Sequence, residues 1–220
     1  MKICNMIEKL QQLDENILLA INGAGGSFFD HIMLFFSNIP VWIPLYVIVA
    51  AAMFFPKQLN KNSFYRRSYL DCRQKTPVWL LAIISILAIA LCFGICDQLS
   101  VYIKNTVARL RPDQDPALAD SIRFIAEKSS LYGFLSGHAT NTFGFAILTL
   151  MIFRAKPYSI FILSWASIVS FSRIYLAKHY LSDVICGAIL GMLIGFIVFI
   201  LWKLIVGKLT NRYNLRTMYK

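Results

Sequence analysis

PVWLLAIISILAIALCFGICDQLSV, residues 77–101, carries one charged side chain, Asp97, close to one end. A stretch of that length and polarity is read as a membrane-crossing helix, because about 20 apolar residues span the hydrocarbon core. The pattern recurs on both sides of it: residues 39–55, 138–153, 158–172 and 184–202 hold no Asp, Glu, Lys or Arg. Over the 220 residues, 58% are hydrophobic and 15% charged, against an apolar share of about 45–50% in soluble domains. The sequence therefore predicts an all-α, polytopic membrane helix bundle of five to six transmembrane helices, with spans at about 39–55, 77–101, 138–153, 158–175 and 182–206.

Ahead of the first span, Ile7, Leu10, Leu13, Ile17, Leu18 and Ile21 recur at helical spacing among Glu8, Lys9, Gln11, Gln12, Asp14 and Glu15. That spacing predicts an amphipathic helix lying on the membrane. Residues 17–37 interrupt their apolar run with Asn22, a glycine cluster, and Asp30 beside His31. An ionised group at the bilayer centre costs about 2.5–3.5 kcal/mol on insertion scales, so this piece is expected to be interfacial or re-entrant, and a sixth span would have to lie in it. The domain reading is thus an interfacial segment over 1–38, a transmembrane unit over 39–206 and a basic tail over 207–220. No cleavable signal is expected, since no compact apolar core is followed by a small-residue cleavage pattern.

The formal charge of +11 is spread in a way that argues for topology. Lys57, Lys61, Arg66, Arg67, Arg73 and Lys75 crowd residues 57–76 against Asp71; Arg154 and Lys156 mark the turn between the third and fourth spans; Lys203, Lys208, Arg212, Arg216 and Lys220 fill the tail. By the positive-inside rule these regions, the C-terminus included, face the cytoplasm. The connections 102–137 and 175–181 then face outward. No nucleic-acid partner is needed to explain the basic residues. Cys4, Cys72, Cys92, Cys96 and Cys186 avoid the two outward loops, which argues against a disulfide framework. Cys92 and Cys96 share a helix face without a histidine or a second cysteine pair, so no metal site is expected there.

The outward loops hold most of the polar residues that look chemical. KNTVARLRP supplies Lys104, Arg109 and Arg111; YGFLSGHATNTFG supplies Ser136, Gly137 and His138; SRIYLAKHYLSD supplies Arg173, Lys178, His179 and Asp183. His179 and Asp183 are four residues apart, close enough on a helical face for the carboxylate to hold the imidazole. A histidine so held is a nucleophile or a base. Lys104, Arg111 and Arg173 end three separate segments at one membrane face. Three cations suit a phosphoryl group, whose transfer requires charge stabilisation over its equatorial oxygens. Ser136 and the backbone N–H groups of Gly137 and His138 add donors at a helix start. Arg109 and Lys178 are neighbours in sequence only, and are candidates for headgroup contact; His31 with Asp30 is a candidate pocket lining. Gly187, Gly191 and Gly195 make a small-residue face that lets another helix approach closely. Trp42, Tyr46, Trp79, Tyr102, Tyr175 and Tyr180 fall near span ends, where aromatic belts form.

These three stretches resemble, in order, the signatures of the type 2 phosphatidic acid phosphatase superfamily: a lysine, six residues and Arg-Pro; Pro-Ser-Gly-His; and Ser-Arg, five residues, His, three residues, Asp. Leu135 stands where the second signature has proline. The resemblance covers about residues 77–206. It implies that His179 is the nucleophile that becomes phosphohistidine, that Asp183 orients it, and that His138 protonates the leaving oxygen. It implies that Lys104, Arg111, Ser136, Gly137 and Arg173 hold the phosphate, without metal or other cofactor. The partner it implies is a membrane lipid bearing a phosphate monoester or diphosphate, hydrolysed at the outer, periplasmic face of a bacterial inner membrane. The general look of the N-terminal region leans toward lipid A, with undecaprenyl diphosphate, phosphatidylglycerol phosphate and phosphatidic acid as alternatives. The oligomeric state is left open, a monomer included. Two rival readings are an intramembrane serine protease built on Ser136, which leaves the cations without a task, and a transporter, which leaves their gathering at one face without a reason.

Overall fold

The computed structural model describes residues 2–56, 61, 66, 77–127 and 129–218. Much of the basic run between the first two expected spans, Lys57, Arg67, Arg73 and Lys75 with Asp71 and Cys72, lies outside the described residues, as does Lys220. Helix α1 covers Lys2–Gly23 and α2 covers Ser27–Ser37, the two meeting at a bend of 117°. A 3-10 turn, Ile39–Trp42, leads into α3, Ile43–Ala52. Then come α4, Val78–Val107; α5, Gly137–Phe153; α6, Lys156–Tyr175; and α7, Leu181–Met218. Among the described residues, strand-like pairing is limited to a bridge between Leu110 and Tyr132.

Local chemistry sets the boundaries. Ala108 adopts a left-handed conformation, φ 51°, and its N–H returns to Lys104 O, which closes α4. Arg154 closes α5 in the same way, φ 48°. Pro157 sits in the first turn of α6, where its missing N–H leaves no bond unmade. Helix α4 and the Leu181–Leu209 part of α7 are long and apolar enough to cross a membrane; Glu8–Gly23 and Ser27–Ser37 pass the same test only as a bent pair. The expected spans 77–101 and 182–206 are helical from Val78 and Leu181 and run on past their C-terminal limits. The tail that the sequence sets apart at residue 207 continues α7 as far as Met218.

The glycine face of α7 receives α5. A Cβ on Gly187 would stand 2.7 Å from Ser136 O, one on Gly191 2.2 Å from Thr140 O, and one on Gly195 2.4 Å from Gly144 O. Ascending numbers meet ascending numbers, so the two helices run parallel, backbone on backbone. Lipid tails are as apolar as a leucine, so helices in a membrane gain mainly from such close packing. Helix α4 runs the other way: Cys96 and Cys92 lie against Gly144, and farther along Trp202 donates to Ser85 Oγ at 2.9 Å. Helix α6 is also antiparallel to α5. Its Tyr158 donates to Thr149 Oγ1 at 2.8 Å, and Trp165 meets the Phe145 ring at 6.1 Å.

Residues 39–52 follow α5 from the level of Trp42, edge-on to Trp165, to that of Val49 and Ala52, beside Phe153 and Tyr158. Tyr46, Phe93, Phe145 and Trp165 interlock at centroid distances of 5.0–6.1 Å. Five helical segments therefore lie side by side, and they bring Lys104, His138, Arg173 and Asp183 to one end. Leu18 of α1 is buried at that end against Leu118, Ala139, Ile174 and Ala177. Of the aromatic residues expected near span ends, Trp79 and Tyr102 are exposed on α4 and the others are packed inside. Trp42 and Tyr46 are packed under the site, and Tyr175 and Tyr180 are buried in it.

Candidate active site

Beyond Tyr175 the chain turns sharply through Ala177, φ 52°, and the N–H groups of Lys178 and His179 both return to Arg173 O, at 2.9 and 3.2 Å. This turn sets His179 inside the bundle, 1% exposed. Its Nε2 lies 3.4 Å from Arg111 Nη1. A guanidinium only donates, so Nε2 must be the unprotonated nitrogen, with the ring proton on Nδ1. Burial pushes the His179 imidazole well below its ordinary range, and the charges of Arg111, Arg173 and Lys104 push it further. The ring is neutral, with a lone pair beside a phosphate-binding type of side chain.

The expected His179 and Asp183 neighbours meet, though loosely. Nδ1 stands 3.5 Å from Asp183 Oδ2, too far to count as a hydrogen bond. Asp183 is fully buried and is held elsewhere: Oδ2 accepts from Tyr180 N–H at 3.1 Å, and Oδ1 from Arg109 Nη1 at 2.9 Å.

The expected cations are placed in different ways. Arg111 Nε donates to Tyr132 O at 2.9 Å and Nη2 to Ser130 Oγ at 3.1 Å, which leaves Nη1 facing His179. Arg173 donates from Nη1 to Ser37 Oγ. Lys104 ends α4 beside Gly137, where a Cβ would stand 3.3 Å from its Nζ; the bare glycine makes room for the ammonium. His138 opens α5 with Nε2 3.3 Å from Ser37 O, a carbonyl, so that nitrogen carries a hydrogen. Three buried polar atoms around this cluster, Ser136 Oγ, Arg173 Nε and His179 Nδ1, have no partner in the chain. An anion with several acceptor oxygens would satisfy Ser136 Oγ and Arg173 Nε, whereas His179 Nδ1 is turned to Asp183; Asp113 Oδ1, Asn141 Oδ1, Trp165 Nε1 and Ser170 Oγ are unpartnered as well. No base rests on Ser136 Oγ, so the arrangement lacks the activated hydroxyl a serine protease requires. Among the described residues, no three His, Cys, Asp or Glu side chains are grouped to hold a metal ion.

Two cavities flank the cluster. One of about 340 Å³ opens beside His138 between Phe36, Trp42, Tyr46 and Phe93, and is mostly apolar. A second of about 220 Å³ lies beyond Lys104, between Asn105, Ser130 and Tyr132.

Several nearby residues have tasks the sequence does not announce. Lys178 is no headgroup contact: it is buried in an ion pair with Asp113 at 3.0 Å and also donates to Glu127 O. Asp113 in turn accepts from Ser129 N–H at 2.9 Å, which pins the loop between α4 and α5. Asp30 is engaged by two partners. It bonds Arg123 and the Tyr175 hydroxyl, each at 2.6 Å, while His31 Nδ1 lies 2.7 Å from Ser27 O on its own helix. Ser37 touches both His138 and Arg173 from α2, outside every motif. Its contact with His138 uses a backbone carbonyl, which leaves no trace in the sequence. Asp14 and Arg109 carry no local signal: each is one charged residue among several, and only the fold buries or half-buries it.

Comparison with known proteins bears on the sequence and fold as a whole. The sequence profile of the PAP2 superfamily matches residues 78–205. A lipid A 4'-phosphatase of Bacteroides thetaiotaomicron is 33% identical over 210 residues, 94% of this chain and 83% of that protein. One from Porphyromonas gingivalis is 30% identical over 195 residues, 88% of this chain and 74% of that protein. In fold, the chain is similar to the crystal structure of a transmembrane PAP2-type phosphatidylglycerolphosphate phosphatase from Bacillus subtilis. The TM-score is 0.60 at 24% identity, covering 86% of this chain and 84% of that one.

Proposed function

The chain belongs to the PAP2 superfamily and is a membrane lipid phosphatase, and from that premise we propose that it removes a phosphate from lipid A in two steps through phosphohistidine at His179. The observation that carries the mechanism is the Nε2 lone pair of His179 beside Arg111, in a nest where Ser136 Oγ and Arg173 Nε have no partner in the chain. In the first step Nε2 attacks phosphorus and the bond from phosphorus to the lipid oxygen breaks. His138, as the imidazolium once the phosphate anion is bound, gives a ring proton to that oxygen and is left neutral. Lys104, Arg111, Arg173, Ser136 Oγ and the N–H groups at Gly137 and His138 stabilise the spread negative charge. In the second step His138, now a base, takes a proton from water; the oxygen attacks phosphorus, the N–P bond breaks, and phosphate leaves with His179 restored.

Two observations support the substrate. The relatives from B. thetaiotaomicron and P. gingivalis align over most of both chains, and the apolar cavity beside His138, on the leaving-group side, suits a ligand with an acyl chain near its phosphate. Undecaprenyl diphosphate and phosphatidylglycerol phosphate are the alternatives within the same chemistry. Five crossings fit the side-by-side course of residues 39–52, α4, α5, α6 and α7, with the α1–α2 elbow on the face that holds the site. That face is the periplasmic side of a bacterial inner membrane, and the C-terminus is cytoplasmic, if the basic residues follow the positive-inside rule.

The test is phosphate release by the purified protein from a panel of these lipids, with a metal chelator present. Release from lipid A well above the others is expected. Equal or better release from a polyprenyl diphosphate would overturn the substrate, and activity only on adding a divalent ion would overturn the mechanism.

A further inference from the structure

Arg109 lies within the first signature stretch but is not one of its fixed positions. Its guanidinium is engaged by side chains outside the phosphate nest. Nη1 donates to Asp183 Oδ1 at 2.9 Å and to Ser182 Oγ at 2.8 Å, and Nη2 donates to Asp14 Oδ2 at 2.9 Å. The Tyr180 ring lies against it, with the guanidinium carbon 4.0 Å from the centroid. Asp14, 7% exposed, is held by more than this pairing: Oδ1 accepts from Ser182 N–H at 3.0 Å and Oδ2 from the Ser182 hydroxyl. One arginine thus joins a carboxylate of the amphipathic helix α1 to the carboxylate that faces the nucleophile.

We propose that Arg109, seated by Asp14, is a positioning residue that holds the Asp183 carboxylate in register with His179. The proposal rests on the phosphohistidine reading, since it needs Asp183 to serve His179. Oδ1 of Asp183 is drawn by Arg109 and Oδ2 by Tyr180 N–H, which fixes the plane of the carboxylate and leaves Oδ2 directed at His179 Nδ1. As the imidazole forms its bond to phosphorus, positive charge grows on the ring and Nδ1–H must be met by that oxygen. A carboxylate shared with an arginine stays an acceptor and does not itself take the proton. Asp14 is the counterweight: it occupies the other side of the guanidinium, so the arginine cannot swing toward the anionic substrate. Arg109 therefore serves the carboxylate that faces the nucleophile, while Lys104, Arg111 and Arg173 serve the phosphate.

The experiment is a cycle of variants in the full chain, with kcat and KM measured on the preferred lipid phosphate. Arg109→Gln should lower kcat by about tenfold or more and change KM by less than about twofold, because a coupled network is lost while the phosphate nest remains. Arg109→Lys should restore part of kcat. Asp14→Asn should lower kcat by about threefold, again with KM nearly constant. The double variant Arg109→Gln with Asp183→Asn should be no slower than Asp183→Asn alone. Losses that multiply, or a rise in KM with kcat unchanged, would overturn the proposal. Should Arg109→Gln fail to fold, Arg109→Lys and Asp14→Asn are read for the same division between kcat and KM. Unchanged kcat in Asp183→Asn alone would instead overturn the role given to Asp183 in the mechanism, and the proposal with it.

Discussion

The backbone N–H of Ser136 donates to the carbonyl oxygen of Asp183 at 3.0 Å. This bond ties the approach to α5 directly to the first turn of α7. His138 is two residues beyond one partner and His179 four residues before the other, so the two imidazoles are placed by a short backbone link at the point where the glycine seam begins. Helices that pack over Gly187, Gly191 and Gly195 would otherwise be free to slide along their common direction. The Ser136 bond fixes that register where it matters to chemistry.

The two histidines should fail in different ways. His179→Ala removes the attacking nitrogen and should abolish turnover, by about three orders of magnitude or more. His138→Ala removes proton transfer, worth about 10²–10⁴-fold on a lipid substrate. The second loss should shrink sharply on an aryl phosphate whose leaving oxygen needs no proton. Parallel kinetics on both substrates check this; an equal loss on each would separate His138 from the leaving group.

The acid side of the pH profile should not report an ordinary histidine. His179 is held well below the usual value near 6.5 by burial and then by Arg111, Arg173 and Lys104. It should stay neutral as pH falls through 6.5, so kcat/KM should show no tenfold-per-unit loss centred there from this group. The same shift bears on stability. The unfolded chain binds a proton near 6.5 and the native one does not, so this contribution is complete above 6.5 and is lost as pH falls below it. Arg111→Gln should move the His179 titration upward, in part only, because burial is the larger cause. NMR of labelled imidazole would follow it.

The helix seam gives a stability prediction. A Cβ at Gly191 would stand 2.2 Å from Thr140 O, and backbone cannot give way as a side chain does. Gly191→Ala should cost about 1–3 kcal/mol, roughly 2–4 °C of melting temperature per kcal/mol for a chain of this size. Gly207→Ala meets nothing within 4 Å and should be neutral or stabilising. Thermal unfolding of both in one detergent compares them.

Lys178 and Asp113 form an ion pair with side chains 4% and 3% exposed. Removing one partner strands a buried charge, so Lys178→Met should destabilise by about 3–5 kcal/mol. Adding Asp113→Leu should recover much of that loss. Denaturant unfolding of the single and double variants decides it.

The sequence is most legible where polarity is least expected. In so apolar a chain, Lys104, Arg111, Ser136, His138, Arg173, His179 and Asp183 stand out, and the structure brings them to one end of the bundle. The glycine spacing is readable as a close helix contact, but its partner, α5, is not, since any helix can meet a bare backbone. The least legible parts are tertiary. Asp14 is one polar residue among many on an amphipathic helix, and nothing local distinguishes the one that becomes buried. Lys178 and Arg109 read as headgroup contacts because their carboxylates, Asp113 and Asp14, lie 65 and 95 residues away.

Those long separations order the assembly of the molecule. Asp14 leaves the ribosome early, yet its partners Arg109 and Ser182 follow 95 and 168 residues later, and contacts so distant form late because the intervening chain must first be placed. The first helix made is therefore among the last to dock. A nascent chain halted before α7 would hold His179 and every residue proposed for the phosphate nest, but neither Asp183 nor Ser182, so the complete constellation is withheld until synthesis has entered the final helix.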